Sequence, residues 1–269
     1  MAFRFLAREA GRVHVCGHRG YSRHYPENTL PAFEAAKAAG ATAVEIDVVL
    51  TSDGEPIVLH DLTVDRTTDG HGFAADLSLE QIRRLDAGVR FHSTFAGVKI
   101  PKVAEVLDWA KAGNVGIVLE IKEVERPDLA VDLVTGLLRS TGAADRVMVI
   151  CFDHVLLKRA VERHPDLRTE AITHARHADL VGVLRACSAN SVSIELDMFH
   201  PVDARALHDA GFGNRVHIPR PEILAEYWRG GRDPLPDLVQ WIADGLIDTI
   251  SGDDVPFIAR LVKRAGRAG

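Results

Sequence analysis

Two histidines, three carboxylates and two fixed cations are spaced along this chain in a way that suits chemistry on a charged ester. The stretch CGHRGYSRHYPENT, residues 16–29, leaves the apolar run VHVC by placing His18, Arg19 and Gly20 side by side. Residues two apart in an extended strand share a face. In AVEIDV, residues 43–48, that parity puts Val44, Ile46 and Val48 on one face and Glu45 and Asp47 on the other. In GIVLEIK, residues 116–122, it sets Ile117, Leu119 and Ile121 against Glu120 and Lys122. In SVSIELD, residues 191–197, it sets Val192, Ile194 and Leu196 against Ser193, Glu195 and Asp197. The apolar faces must cover helices, so the charged faces of three strands converge on the inside.

Carboxylates so gathered are costly, since two of them about 4 Å apart repel by roughly 4 kcal/mol at an effective dielectric near 20. Glu45, Asp47 and Glu120 therefore take up protons, pair with a nearby Lys or Arg, or bind a cation. All-oxygen ligation suits Mg²⁺ or Ca²⁺ rather than zinc, which favours His and Cys. His60 ends the short return IVLH after an Asp53-Gly54 turn, which brings it close to Glu45 and Asp47, with His18 nearby just after the first strand. Two imidazoles beside a divalent cation suit a reaction that needs one base and one acid. Arg19 and Lys122 add charge that neutralises a phosphodiester monoanion. The chain has 13 histidines. His14, His24, His71, His92, His154, His164, His174, His177, His200 and His208 read as exposed or capping residues, His24 and His71 near the active rim.

The elements that must position these groups alternate. Short apolar runs at 13–16, 42–49, 115–121, 146–151, 167–172, 190–196, 214–218 and 246–250 read as eight strands. Amphipathic runs such as LPAFEAAKAAG, KVAEVLDWAKAG, LAVDLVTGLLRSTG and HVLLKRAVERH lie between them. Eight such units spell an α/β fold, a (β/α)8 TIM barrel, with residues 1–269 as one domain. Residues 61–100 break the rhythm after the second strand. They form a polar insertion with one short helix, SLEQIRRLDAG, expected to cap the active face.

Composition sets bounds. A formal net charge of −6 argues against nucleic acid as a partner, and leaves a small anionic ligand in a locally basic pocket. Cys16, Cys151 and Cys187 lie far apart without a CxxC pair, which fits a reducing compartment. The start MAFRFLAREAGR lacks a signal peptide's apolar stretch, and no run approaches the roughly 18 apolar residues of a membrane span. The expectation is a soluble cytoplasmic protein with a small-molecule substrate. Nothing in the sequence specifies an oligomeric state.

Taken together, HRG (18–20), PENT (26–29), EID (45–47), TSDG (51–54), VLHD (58–61), DRTTDG (65–70) and EIK (120–122) resemble the glycerophosphodiester phosphodiesterase family. The resemblance is dense over 13–122 and looser beyond, where CFD (151–153) is similar to a family SFD-like segment and sets Phe152 at the pocket. It implies a TIM barrel that hydrolyses glycerophosphodiesters to sn-glycerol 3-phosphate and an alcohol. It implies His18 and His60 as acid and base, Glu45, Asp47 and Glu120 on one divalent cation, and Arg19 and Lys122 on the phosphate. Departures lie further on. HIPR (217–220) replaces a WTVN-like segment and sets His217 on the pocket wall, SGDDVP (251–256) replaces TD-x-P, and IPKVAEV (100–106) has Lys102 and Ala104 where TLEE is usual. Those departures bear on the alcohol, with Glu195 as a further wall residue.

Which histidine is the base stays open, as does direct water attack against closure of a cyclic phosphate. An activity similar to lysophospholipase D, sphingomyelinase D or phosphatidylinositol-specific phospholipase C is the second reading, and an exposed apolar rim would favour it. A barrel that only binds phosphorylated ligands is the third. It would dispense with proton-transfer residues, yet His18 and His60 are both present.

Overall fold

The computed structural model describes residues 2–268. Nine strands form one sheet: β1 His14–Gly17, β2 Ala43–Leu50, β3 Pro56–Val58, β4 Gly116–Ile121, β5 Val147–Cys151, β6 Thr169–Thr173, β7 Ser191–Glu195, β8 Gly213–His217 and β9 Thr249–Gly252. Eight run parallel, and β1 pairs with both β2 and β9, which closes the (β/α)8 barrel. β3 is antiparallel to the end of β2, with Val58 opposite Val48, and is the extended return expected before His60.

Each parallel strand is followed by a helix, directly or after a connecting segment. Val44, Ile46, Val48, Ile117, Leu119, Ile121, Val192 and Ile194 all join the main core between strands and helices, as period-two patterning requires. A second apolar cluster plugs the inside. Phe3 and Phe5 pack there on Cys16, Ala43, Val118, Met148 and Ile150. The Phe3 ring explains Gly116, where a Cβ would come within 2.6 Å of it. Above this plug the interior turns polar. The buried pair Arg215–Glu170, 2.8 Å apart, begins the polar layer.

Residues 61–100 hold the expected helix, Leu79–Arg84, with Ser78 and Gln81 forming a capping box, and two 3₁₀ turns, Ala74–Asp76 and Ser93–Phe95. This segment packs Val64, Ala74, Ile82 and Ala87 against Val49, Ile57 and Leu59. Every expected strand shifts by at least one residue at one end, and three of the shifts have consequences. β9 starts at Thr249 because Leu246 still bonds back to Trp241 O after Gly245 at φ 72. β6 starts at Thr169, two residues later than the expected 167. β7 stops at Glu195, and Leu196–Met198 turns into a 3₁₀ helix, so Asp197 is exposed rather than facing the interior.

Candidate active site

Strand register assembles the acids. Asp47 on β2 lies directly opposite Glu120 on β4, and Glu45 sits one pleat below Asp47. One oxygen from each of Glu45, Asp47 and Glu120 falls within 4.8 Å of the others, and all three side chains are buried. Each carboxylate is held by a neighbour. Glu45 Oε2 accepts from the Arg19 backbone N–H at 3.0 Å, Asp47 Oδ2 from Asn28 Nδ2 at 2.7 Å, and Glu120 Oε1 faces Lys122 Nζ at 2.6 Å. Arg19 Nε lies 3.2 Å from Asp47 Oδ2, an ion-pair contact without hydrogen-bond alignment.

Those contacts leave Glu45 Oε1 and Asp47 Oδ1 buried with no hydrogen-bond partner among the described residues. A buried acceptor in that state costs about 1–3 kcal/mol. Burial, and then the Asp47 charge, push the Glu45 carboxyl well above the usual carboxylate range. Burial likewise raises Glu120, against the pull of Lys122. Two orphaned oxygens within a cluster of three carboxylates fit a hard divalent cation. Arg19 faces the other oxygen of Asp47, whereas Lys122 Nζ, 2.6 Å from Glu120 Oε1, also stands 3.7 Å from Asp47 Oδ1, beyond hydrogen-bond reach but close enough to compete with a cation there.

The turn after β1 explains the HRG triplet. Arg19 stands in the left-handed region at φ 55, which aims its N–H at Glu45. Gly20 has φ 85, and a Cβ there would lie 2.7 Å from the Ala32 carbonyl carbon, so only glycine fits. His18 Nδ1 lies 2.7 Å from Asp253 Oδ1 and its Nε2 lies 3.9 Å from Glu45 Oε2. Burial lowers the His18 pKa, but the Asp253 hydrogen bond and the Glu45 charge outweigh it and set it above the ordinary value. Burial favours the neutral acid at Asp253, yet His18 and then Arg220 hold that carboxyl far below its usual range. The His217 ring stands 4.7 Å from His18, and burial with the neighbouring His18 and Arg215 charges brings it down to about 3. His217 is thus a neutral wall.

His60 follows β3 and is oriented from the other side. Its Nδ1 lies 2.6 Å from Asp61 Oδ1. Arg66 Nε donates to Asp61 Oδ2 at 2.7 Å, and both Arg66 terminal nitrogens donate to Glu27 at 2.8 Å. Glu27 in turn accepts from Arg19 at 3.0 Å. Arg66, with smaller help from His60, brings Asp61 down to about 2.

One cavity of about 260 Å³ at the C-terminal ends of the strands brings His18, Arg19, Glu45, His60, Glu120 and Lys122 together. Asp47, fully buried, lies behind them. Phe152, Glu195 and His217 line the same cavity. His174 does too, against the expectation of a peripheral residue; it lies 3.7 Å from Glu195 and 4.8 Å from the Phe152 ring. Its signal was its position, the first residue after β6. Arg215 from β8 also enters the cavity. Sequence reading missed Asp253, Asp61, Arg66, Glu27 and Asn28 as orienting residues, although PENT, VLHD, DRTTDG and SGDDVP contain all five.

The model of the glycerophosphoryl diester phosphodiesterase family matches residues 18–218. A glycerophosphodiester phosphodiesterase of Caldanaerobacter subterraneus subsp. tengcongensis is 32% identical over 264 residues, covering 94% of this chain and 98% of that one. Human glycerophosphodiester phosphodiesterase 1 is 45% identical over 113 residues, 41% of this chain and 34% of its own length. Among solved structures, an Oleispira antarctica phosphodiesterase in complex with the product sn-glycerol-3-phosphate superposes with a TM-score of 0.80 at 23% identity, covering 95% of this chain and 98% of that one.

Proposed function

This chain belongs to the glycerophosphoryl diester phosphodiesterase family, and on that premise we propose a metal-dependent hydrolase that converts glycerophosphodiesters to sn-glycerol 3-phosphate and an alcohol. Phosphodiesterase activity itself follows from a relative named glycerophosphodiester phosphodiesterase that matches nearly the whole chain. The observation that carries the metal is the pair of orphaned oxygens, Glu45 Oε1 and Asp47 Oδ1, within the acidic cluster. Glu45, Asp47 and Glu120 would hold one Mg²⁺ or Ca²⁺. When bound, such an ion offsets phosphate charge and lowers the pKa of a nucleophile.

The remaining work falls to the chain's own side chains. His18, with Nδ1 bonded to Asp253, and His60, with Nδ1 bonded to Asp61, each keep Nε2 free for a proton. One removes the nucleophile's proton and the other supplies one to the leaving alkoxide, each transfer typically worth ~10²–10⁴-fold. Arg19 and Lys122 bind the phosphate monoanion. Phe152, Glu195 and His217 form the wall that meets the alcohol. The known product complex belongs to the Oleispira antarctica neighbour and supports a small glycerophosphodiester as substrate. We read residues 1–269 as one catalytic domain, with 61–100 covering the active face. A cytoplasmic setting is supported by three buried free cysteines, and no described helix is long and apolar enough to cross a membrane.

The test is a ³¹P spectrum of glycerophosphocholine incubated with purified protein and Mg²⁺ or Ca²⁺. A phosphomonoester resonance that disappears with chelator is expected. A cyclic phosphate as the sole product, or unconverted substrate with every divalent cation, would contradict the reading.

A further inference from the structure

We propose a second anion site, one for phosphate monoesters, in the cleft where the insertion meets the loops after β1 and β8, whose occupancy slows the catalytic centre. The cleft has a volume of about 230 Å³ and shares no lining residue with the catalytic cavity. Arg23 comes from the loop after β1, Arg66 and Arg90 from the insertion, and Arg220 from the loop after β8. Glu27 is the one acid among the described residues that line it. Four guanidinium groups thus meet one carboxylate in a chain whose formal net charge is −6. A concave surface lined by one sign of charge concentrates ions of the other sign.

Ion pairs within the chain account for two of the four arginines. Arg66 gives four of its five N–H groups to Asp61 and Glu27. Arg23 is forked onto the exposed Glu222. Arg90 and Arg220 differ. Arg90 donates only through Nε, to the Thr68 carbonyl, and has no carboxylate partner among the described residues. Arg220 donates only through Nε, to Asp253 Oδ2 at 2.6 Å. Each is anchored at one nitrogen, with its two terminal nitrogens claimed by no protein acceptor among the described residues, and both line the same cleft. Two such forks suit phosphate, whose oxygens accept guanidinium N–H groups in pairs. The volume lies below the roughly 300–1,000 Å³ of pockets for drug-sized ligands, which limits the occupant to free phosphate or a small monoester. The exposed Phe91 ring gives the esterified group an apolar wall.

Each catalytic histidine meets this cleft through one carboxylate. Arg220 holds Asp253, which orients His18, and Arg66 holds Asp61, which orients His60. An anion gripped by Arg220 and Arg90, beside Arg66, competes with both carboxylates for those guanidinium groups. Carboxylates held less firmly fix the imidazoles less firmly, so kcat falls while KM stays. That consequence rests on the phosphodiesterase reading, whereas the anion site itself does not. The product of that reaction is a phosphate monoester, so the ligand class is one the enzyme itself generates.

The test uses the full chain at saturating glycerophosphocholine with excess Mg²⁺, adding inorganic phosphate or sn-glycerol 3-phosphate in separate arms. A fall in kcat of about threefold or more is expected for the native chain. In Arg90→Glu and Arg220→Met, each compared with its own rate before addition, the fall should stay below about 1.3-fold. A melting curve shows that each variant folds, and either one decides if the other does not. Calorimetry in chelator reads binding directly. The native chain and Lys122→Met should take up phosphate, and Arg90→Glu should bind it about tenfold or more weakly. The more potent of the two anions identifies the ligand, and no effect of either overturns the proposal. So does inhibition that saturating substrate relieves, or equal inhibition in the folded variants. Binding lost in Lys122→Met and kept in Arg90→Glu overturns it too, since the anion would then sit in the catalytic cavity. Phosphate uptake that depends on Arg90 in a chain without turnover would instead defeat the phosphodiesterase reading alone.

Discussion

Asp253 Oδ1 lies 2.7 Å from His18 Nδ1, and the same carboxylate also receives Ser22 and Arg220. Three donors fix one acceptor, and that acceptor fixes the imidazole with Nε2 toward Glu45. Asp253→Asn is therefore expected to lower kcat by about 10–100-fold while KM and the melting temperature change little, as for other residues that orient a working histidine. Steady-state kinetics with a melting curve checks this. A change confined to KM or to stability would assign Asp253 a structural role.

Buried like charges make the acidic cluster a site where function opposes stability. Glu45→Gln is expected to raise the melting temperature of the metal-free protein by a few degrees, roughly 4–8 °C per kcal/mol at most for a small domain and less at this size. The same substitution should abolish the further rise that Ca²⁺ or Mg²⁺ gives the native chain. Calorimetry with and without each cation reads both effects, and a metal-free variant less stable than native would show that Glu45 is already satisfied.

Lys122 stands 2.6 Å from Glu120 Oε1 and 3.7 Å from Asp47 Oδ1, so it competes with a cation for those acids as well as serving the phosphate. Lys122→Met is expected to tighten divalent-cation binding about tenfold and yet to reduce kcat/KM about 10²-fold. Titration calorimetry beside kinetics separates the two. Weaker cation binding in the variant would contradict this double role.

Asp61 carries the pH dependence that the His60 side predicts for stability. Its carboxyl sits at about 2 because of Arg66, below the roughly 3.9 of an unfolded aspartate. A folded pKa below the unfolded one contributes stability that is present above the unfolded value and is lost as pH falls toward the folded one. Arg66→Met should thus unfold at lower urea than native at pH 6, and the gap should narrow between about pH 4 and 2. A gap that stays constant across that window would remove Asp61 from the explanation.

The interior faces of β2 and β4 were legible because a strand repeats every two residues, so Val44, Ile46 and Val48 told where Glu45 and Asp47 had to point. His18 and His60 were legible for the same reason, as ends of strands whose neighbours were already placed. Asp253 was not, since it meets His18 across 235 residues of chain and from a loop, where no periodicity exists. Glu27 and Arg66 join two loops in the same manner. Asp197 misled because parity was carried past Glu195, where the chain leaves the strand for a 3₁₀ turn.

The most direct measurement is a divalent-cation titration followed in parallel by calorimetry and by glycerophosphodiester turnover, on the native chain and on Glu45→Gln, Asp47→Asn and Glu120→Gln. One ion bound per native chain, activity that rises with its occupancy, and loss of both in all three variants is the expected result. Turnover that persists in chelator, or variants that hydrolyse substrate as fast as the native chain, would contradict it.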